Sequence, residues 1–451
     1  MHVTEEDSIR EEWASYFQKL GTPKITDAYL DELLVKARLL MKSNPAELII
    51  SVELVREAVT SLNSGKADDI FGISAEQLKA LPDDGFNTLT IIVNKILSSQ
   101  EVPEILKTAF KITIPKKGKD ARIQDNHRGI TIAPIICKVL EKLAIQHDLR
   151  YMPKNNLQFG FEPGRCPSMC SLIITEAMAE AKFLKIPLLS ATEDARKAFD
   201  VVSHEILKLK LFHTNMHPRM WNMLDSLYTG GTERVRYMGR LSSSYSVNQG
   251  VKQGGASSPD LYKRYVYALL QRLEEAGLGL HIGNIYLGSP TCADDIFFLS
   301  NDYTGSELQA MLNISFEYSL AHMWEIHPIK SSATIMYETP THDIQRRFWT
   351  LGDNVMPTVD SFDHLGLNWK SGKAQPDIEK IISSTRRCSY KLLGVGVHGG
   401  NGLNPCISIK ILSTWVWSVM LSGTESLVLR QQDIDLIEKF YRKTLRMIQG
   451  L

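Results

Sequence analysis

Three aspartates carry the first chemical signal. The stretch "TCADDIFFLS" (291–300) sets Asp294 and Asp295 side by side ahead of an apolar run, and "PLLSATEDARKAFDVV" (187–202) ends a short apolar strand on Asp194. Each feature has an ordinary reading. Two adjacent aspartates suit a polar turn between strands, and Asp194 by itself reads more readily as a helix cap. Together they raise another option, because crowded carboxylates repel one another unless a cation neutralises them. Mg²⁺ favours a few carboxylates plus substrate phosphates over an all-protein cage. Two such ions, about 3.5–4 Å apart, can clamp the attacking and leaving oxygens of a displacement at phosphorus.

The elements that must position these groups follow from periodicity. Residues 4–20 and 26–43 read as amphipathic helices separated by "GTPKIT" (21–26), and the eleven acidic and seven basic side chains of residues 1–60 suggest a solvated helical surface. Val52, Leu54, Val55, Ala58, Val59 and Leu62 recur at helical spacing, with Gly65 as the expected stop and Ser74 as the cap of the next helix. "FKITIP" alternates like a strand and runs into "KKGKD", a basic turn that suits phosphate contacts and a solubilising hairpin equally. A polar turn and then a helix carrying Phe199 should follow Asp194. "NQGVKQGGASSPDLYKRYVYALLQRLEEAG" (248–277) is a Gly-rich loop entering a strong helix, with Ser257 or Ser258 as cap and Pro259 in the first turn. Such backbone permits close approach of a phosphate, sugar or base, although the P-loop spacing is absent. "IYLG" and "IFFLS" read as strands flanking the aspartate turn, "HPIKSSATIMY" (327–337) ends in a strand, and Leu365-Gly366 marks a tight hairpin. Beyond residue 370 the pattern is helical and basic. Carboxylates, basic loops and a Gly-rich element sum to a nucleotidyl-transfer site.

Composition sets the frame. The chain has 451 residues, 43% of them hydrophobic, enough for more than one domain. Lys+Arg and Asp+Glu both number 51, so any basic surface is local. The six cysteines show no zinc spacing and fit a reducing compartment better than a disulfide scaffold. No signal peptide and no apolar stretch of membrane-spanning length is evident, so no membrane partner is expected.

The order of motifs resembles the reverse transcriptases of non-LTR (LINE-type) retrotransposons over roughly residues 50–451. "NHRGITIAPIICKVLEKL" (126–143) is similar to the family's fingers segment and "QFGFEPGRCPS" (158–168) to its Q-x-G-F element. "DARKAFDVVSH" (194–204) is similar to palm motif A, "GVKQGGASSPDLY" (250–262) to motif B, "CADD" (292–295) to motif C, "HPIKSS" (327–332) to motif D and "HLGLNW" (364–369) to motif E. The resemblance implies an α+β right-hand polymerase fold. Its parts would be an N-terminal helical extension (1–50), fingers with the start of the palm (51–190), a palm with an antiparallel sheet (191–345), and a primer-grip hairpin with a helical thumb (346–451). It implies that Asp194, Asp294 and Asp295 hold two Mg²⁺ ions, with Mn²⁺ as a substitute. Phe199 would exclude a 2′-OH, Gln253 and Gly254 would meet the incoming nucleotide, and Lys116, Lys117 and Arg128 would reach its phosphates. Lys330 would protonate pyrophosphate, and Leu365 and Gly366 would grip the primer. The implied partners are an RNA template, a DNA primer and dNTPs, with an endonuclease supplied elsewhere. The implied location is the nucleus or a cytoplasmic ribonucleoprotein, not a secreted form.

Several residues depart from the family pattern: Cys292 before A-D-D, Gly129 after Arg128, Glu162, His327, Ser331 and Ala256-Ser257. Others read as structural: His204 caps or packs a helix, Cys166 and Cys170 are core thiols, Trp324, Trp369, Trp415 and Trp417 are packing residues, and Arg386-Arg387 is a solvated helix face. Two alternatives stand beside the polymerase: a catalytically silent RNA-binding or structural protein derived from such an element, which would not need the three aspartates, and a group II intron maturase or telomerase-type enzyme. The sequence reads as part of a longer element protein.

Overall fold

A computed structural model of the chain describes residues 5–43, 47–327, 330–339, 344, 347–373, 376–400 and 402–450. Thr4, at the start of the first expected helix, and Pro328 and Ile329, within the "HPIKSS" segment, lie outside the described residues. The chain forms two compact units that interleave along the sequence. One comprises Met1–Lys154, Arg196–Ala268 and Tyr318–Glu325, the other Asn155–Ala195, Leu269–Glu317 and Ile326–Leu451. The mixed α+β architecture expected from the sequence is present. Among the described residues no helix is long and apolar enough to cross a membrane.

In the first unit, helices Glu6–Leu20 and Ala28–Ser43 flank the Gly-Pro break. The first is more than a solvated surface. Its Trp13, Ala14 and Phe17 are buried against Val235 and Tyr245, and the Trp13 ring meets His127 at 4.8 Å. Beneath it lies a five-stranded sheet. Strand Thr108–Pro115 pairs antiparallel with His127–Ile132 and parallel with Thr232–Tyr237, which also carries Arg240–Leu241 and Tyr245–Ser246. Gly129 contributes the space for the helix: a Cβ there would lie 2.6 Å from Phe17 Cε1 and 2.7 Å from Lys111 Cδ.

Local chemistry explains where helices begin and where expectation and structure differ. Ser74 and Gln77 form a capping box. The preceding helix ends at Thr60, short of Gly65, with Ser61 as its cap and Leu62 buried just beyond; Gly65, at φ 70°, serves the turn that follows. Phe199 lies in a run of turns, and the helix expected to carry it begins only at His204.

The second unit is built on a four-stranded antiparallel sheet in the order Ser332–Tyr337, Leu188–Asp194, Asp295–Ser300, Thr291–Cys292. Leu188, Phe297, Leu299 and Met336 carry the sheet's apolar side into a core that takes in Trp369 of the Ser361–His364/Leu367–Lys370 hairpin. Helices Pro167–Leu184, Ile378–Leu393 and Gln431–Gln449 complete that core. Among the structural readings, Cys170, Trp324 and Trp369 are buried as expected. Cys166 is exposed instead, because it precedes the Pro167–Leu184 helix as its cap residue. Trp415 is 62% exposed and is not a packing residue.

Candidate functional site

The antiparallel register decides which carboxylates can meet. Asp194, the last residue of its strand, is paired directly with Asp295, the first residue of the neighbouring one. Side chains directly opposite across a pair share one face, with Cβ atoms about 4.5–5.5 Å apart. Asp294 precedes Asp295 in the two-residue turn Ala293-Asp294, closed by the Cys292/Asp295 pair. Ala293 takes φ 62°, as the first central residue of a type II′ hairpin turn does. Three aspartates thus stand at one end of one sheet, and Asp194 caps no helix.

Electrostatics report the crowding. Asp295 reaches solvent, yet the protein packed around its carboxyl, and then the charges of Asp294 and Asp194, push its pKa up to about 6. A cation faces the cluster: Lys330 Nζ lies 3.2 Å from Asp194 Oδ2, with both side chains substantially exposed. Among the described residues no three His, Cys, Asp or Glu side chains converge closely enough to hold a metal ion. The donor set nonetheless fits a divalent cation, since hard carboxylate oxygens at one sheet end are the ligands such a cation takes, and its charge would offset the crowding that raises Asp295.

Two departures from pattern hold Asp194 in place. Its backbone N–H donates to Ser331 Oγ at 3.2 Å, and its carbonyl accepts from the His327 N–H at 2.8 Å. Ser331, which weakened the motif match in the sequence, is thus a support for this carboxylate. Cys292 packs with Leu157, Phe159 and Cys170, and Leu365 leans on the same cluster. Burial, followed by the charges of Asp295 and Asp294, pushes the Cys292 thiol up to about 11, so it is a neutral packing group. The Leu365-Gly366 hairpin is as expected, with φ 50° and 85° at its two turn residues. His364 beside it is buried, which lowers its pKa to about 4.

The remaining candidates belong to the first unit. Phe199 stacks on Tyr262, with centroids 4.7 Å apart and planes 12° from parallel. The Gln253 amide donates to Asp200 at 3.1 Å, and its carbonyl accepts from the Thr131 N–H at 2.7 Å. Gly254, at φ 118°, lies against the Thr131 carbonyl, where a Cβ would come within 2.7 Å. Lys116 Nζ donates to the Asp125 carbonyl at 3.1 Å, while Lys117 and Arg128 are exposed. One support was not legible as such. Glu141 is fully buried and accepts from the backbone N–H groups of Ala256 and Ser257, the latter at 3.1 Å, so a carboxylate from helix Ile135–His147 anchors the Gly-rich loop.

Comparison with known proteins identifies the family. Residues 114–369 match the family model described as reverse transcriptase (RNA-dependent DNA polymerase). The chain is 31% identical over 221 residues to the probable RNA-directed DNA polymerase from transposon X-element of Drosophila melanogaster, covering 48% of this chain and 24% of that protein. It is 29% identical over 257 residues to the RNA-directed DNA polymerase from mobile element jockey of Drosophila funebris, covering 56% and 27%. It is also 22% identical over 330 residues to the Pol polyprotein from the type-2 retrotransposable element R2DM of Drosophila melanogaster, covering 71% and 30%. The chain therefore spans about a quarter of the length of these relatives.

Proposed function

The chain belongs to the reverse transcriptase (RNA-dependent DNA polymerase) family, and from that premise we propose that it copies RNA into DNA by nucleotidyl transfer, as the polymerase domain of a non-LTR retrotransposon. The observation that carries the proposal is the pairing of Asp194 with Asp295, with Asp294 in the adjoining turn. Asp194, Asp294 and Asp295 would hold two Mg²⁺ ions, with Mn²⁺ able to replace them. Bound there, the ions supply Lewis acidity and charge neutralisation at the reacting phosphate.

The chain's own residues orient the reactants, since positioning and electrostatics carry most of phosphoryl-group transfer. The sheet end fixes the carboxylates that would hold the ions, and a primer 3′-OH attacks the α-phosphorus in line, releasing its proton to solvent as the bond to pyrophosphate breaks. Lys330, already beside Asp194, donates a proton to the leaving pyrophosphate. Lys116, Lys117 and Arg128 steer the triphosphate, Gln253 and Gly254 border the nucleotide, and Phe199 closes the space a 2′-OH would need. The Leu365-Gly366 turn holds the primer strand. The template is RNA, read through its backbone and A-like shape, and the primer end comes from an endonuclease supplied elsewhere. Such copying would take place in the nucleus or in a cytoplasmic ribonucleoprotein.

Primer extension on poly(rA)/oligo(dT) with Mg²⁺ tests the proposal. Wild type should extend, and Asp294→Asn should not. Equally little extension by both, with RNA binding intact, would leave a silent RNA-binding protein as the reading.

A further inference from the structure

The "QFGFEPGR" segment has no role in the chemistry above, yet it lies against the aspartate turn. Phe159 N–H donates to the Thr291 carbonyl, and Thr291 N–H to the Leu157 carbonyl, both at 2.8 Å. Between these bonds the Gln158 side chain, 4% exposed, brackets a single residue of the turn. Its Oε1 accepts from the Ala293 N–H at 2.9 Å and from the Gly160 N–H at 2.8 Å, and its Nε2 donates to the Ala293 carbonyl at 3.4 Å.

Ala293 is the strained member of the turn, since a non-glycine residue at positive φ persists only where its surroundings over-determine it. Gln158 supplies that constraint by engaging both ends of the Ala293 residue. Gly160 lets the segment approach, because a Cβ there would collide with the Ala293 backbone. The bracket is itself fixed: Arg165 Nη1 donates to the carbonyls of Asn155, Asn156 and Gln158 at 2.7, 3.1 and 2.9 Å.

We propose that Gln158 is a positioning residue for nucleotidyl transfer: through Ala293 it sets where the Asp294 and Asp295 carboxylates stand, with Gly160 and Arg165 fixing its own placement. The inference rests on the proposed polymerase activity for its kinetic consequence, though not for its structural one. Displacing reacting groups by about 1 Å costs on the order of 100-fold in rate.

Two measurements on the full chain test it: kcat and KM for dTTP in primer extension, and hydrogen exchange of the Ala293 amide. Gln158→Met keeps the side-chain length and removes all three bonds. It should lower kcat by roughly 100-fold with KM for dTTP and primer–template affinity unchanged, and should accelerate Ala293 exchange at least about tenfold. Gln158→Glu keeps both acceptor bonds but sets its second oxygen against the Ala293 carbonyl, so it should slow exchange relative to Gln158→Met while recovering only part of kcat. Gly160→Ala should reproduce the loss by pushing the turn from the same side. Full kcat in Gln158→Met, unchanged exchange, or a joint fall of kcat, primer–template affinity and melting temperature would overturn the inference. An inert wild type would overturn the proposed activity instead, and the exchange measurement would still decide whether Gln158 holds the turn.

Discussion

The N-terminal helix and the His127–Ile132 strand meet at Gly129, and one added carbon there tests how that contact is built. Gly129→Ala places a Cβ 2.6 Å from Phe17 Cε1 and 2.7 Å from Lys111 Cδ. Neither neighbour can retreat cheaply. The Phe17 ring is 3% exposed and stacks on Trp13 at 5.8 Å. Lys111 is held 3.0 Å from Glu233 in a buried ion pair and lies 4.6 Å over the Phe17 ring. Overpacking of this kind costs about 1–3 kcal/mol, and the weaker partner in the contact is a single helix on a sheet. The helix should therefore open locally, with exchange of its Trp13–Leu20 amides rising roughly 5- to 150-fold. Phe17→Leu shortens the obstacle, so the double variant should recover at least about 1 kcal/mol of coupling. Native-state hydrogen exchange with a urea titration of all three variants reads both quantities. Unchanged exchange in Gly129→Ala, or a penalty that persists in the Phe17→Leu background, would refute the claim that this glycine exists to seat the helix.

Other outcomes follow from the same geometry. Glu193 is buried with a bond from Ser315, and burial raises its pKa to about 8. Its folded pKa exceeds the unfolded one, so its favourable contribution is complete below about pH 4.5 and is lost as pH rises through 8. Glu193→Gln should thus raise the melting temperature at pH 9 and leave it nearly unchanged at pH 4, as scanning calorimetry would show. Phe199→Ala should weaken discrimination against ribonucleotides by at least about tenfold in kcat/KM; unchanged discrimination would remove the gate assignment. Lys330→Met breaks a solvent-exposed pair and should alter stability by less than about 1 kcal/mol. The same variant should lower kcat in primer extension with KM for dTTP unchanged; an unchanged kcat would remove the proton-donor assignment.

Much of the site was legible because its chemistry is written in residue types. A strand ending on Asp194 and a turn carrying Asp294 and Asp295 are local patterns, and their assembly followed from the order of motifs. The Ser74 cap and the Leu365-Gly366 turn were equally local. What escaped was long-range. Nothing in the spacing says that Gln158 reaches Ala293, that Glu141 anchors Ala256 and Ser257, or that Ser331 supports the Asp194 amide, because such bonds join residues with no shared period. Phe199 was misplaced for a related reason: "ARKAF" has helical composition, but its backbone is committed elsewhere. The Phe199 carbonyl accepts from the Val251 N–H at 2.7 Å, and the Arg196 N–H donates to the Glu325 carbonyl at 2.8 Å. Gly129 and Cys292, which looked like anomalies against the family pattern, are explained only by what touches them.

The central position of the Leu188–Asp194 strand also sets a timetable. Its two neighbours in the sheet begin at Asp295 and Ser332, more than about a hundred residues further along the chain. At roughly 5–20 residues per second, a ribosome completes this apolar strand about 5–20 s or more before either partner emerges. Throughout that interval "LLSATE" has both edges open, as a template for pairing with other chains. The strand that presents the first aspartate is therefore open to aggregation during synthesis, and a place where a chaperone should engage the nascent chain.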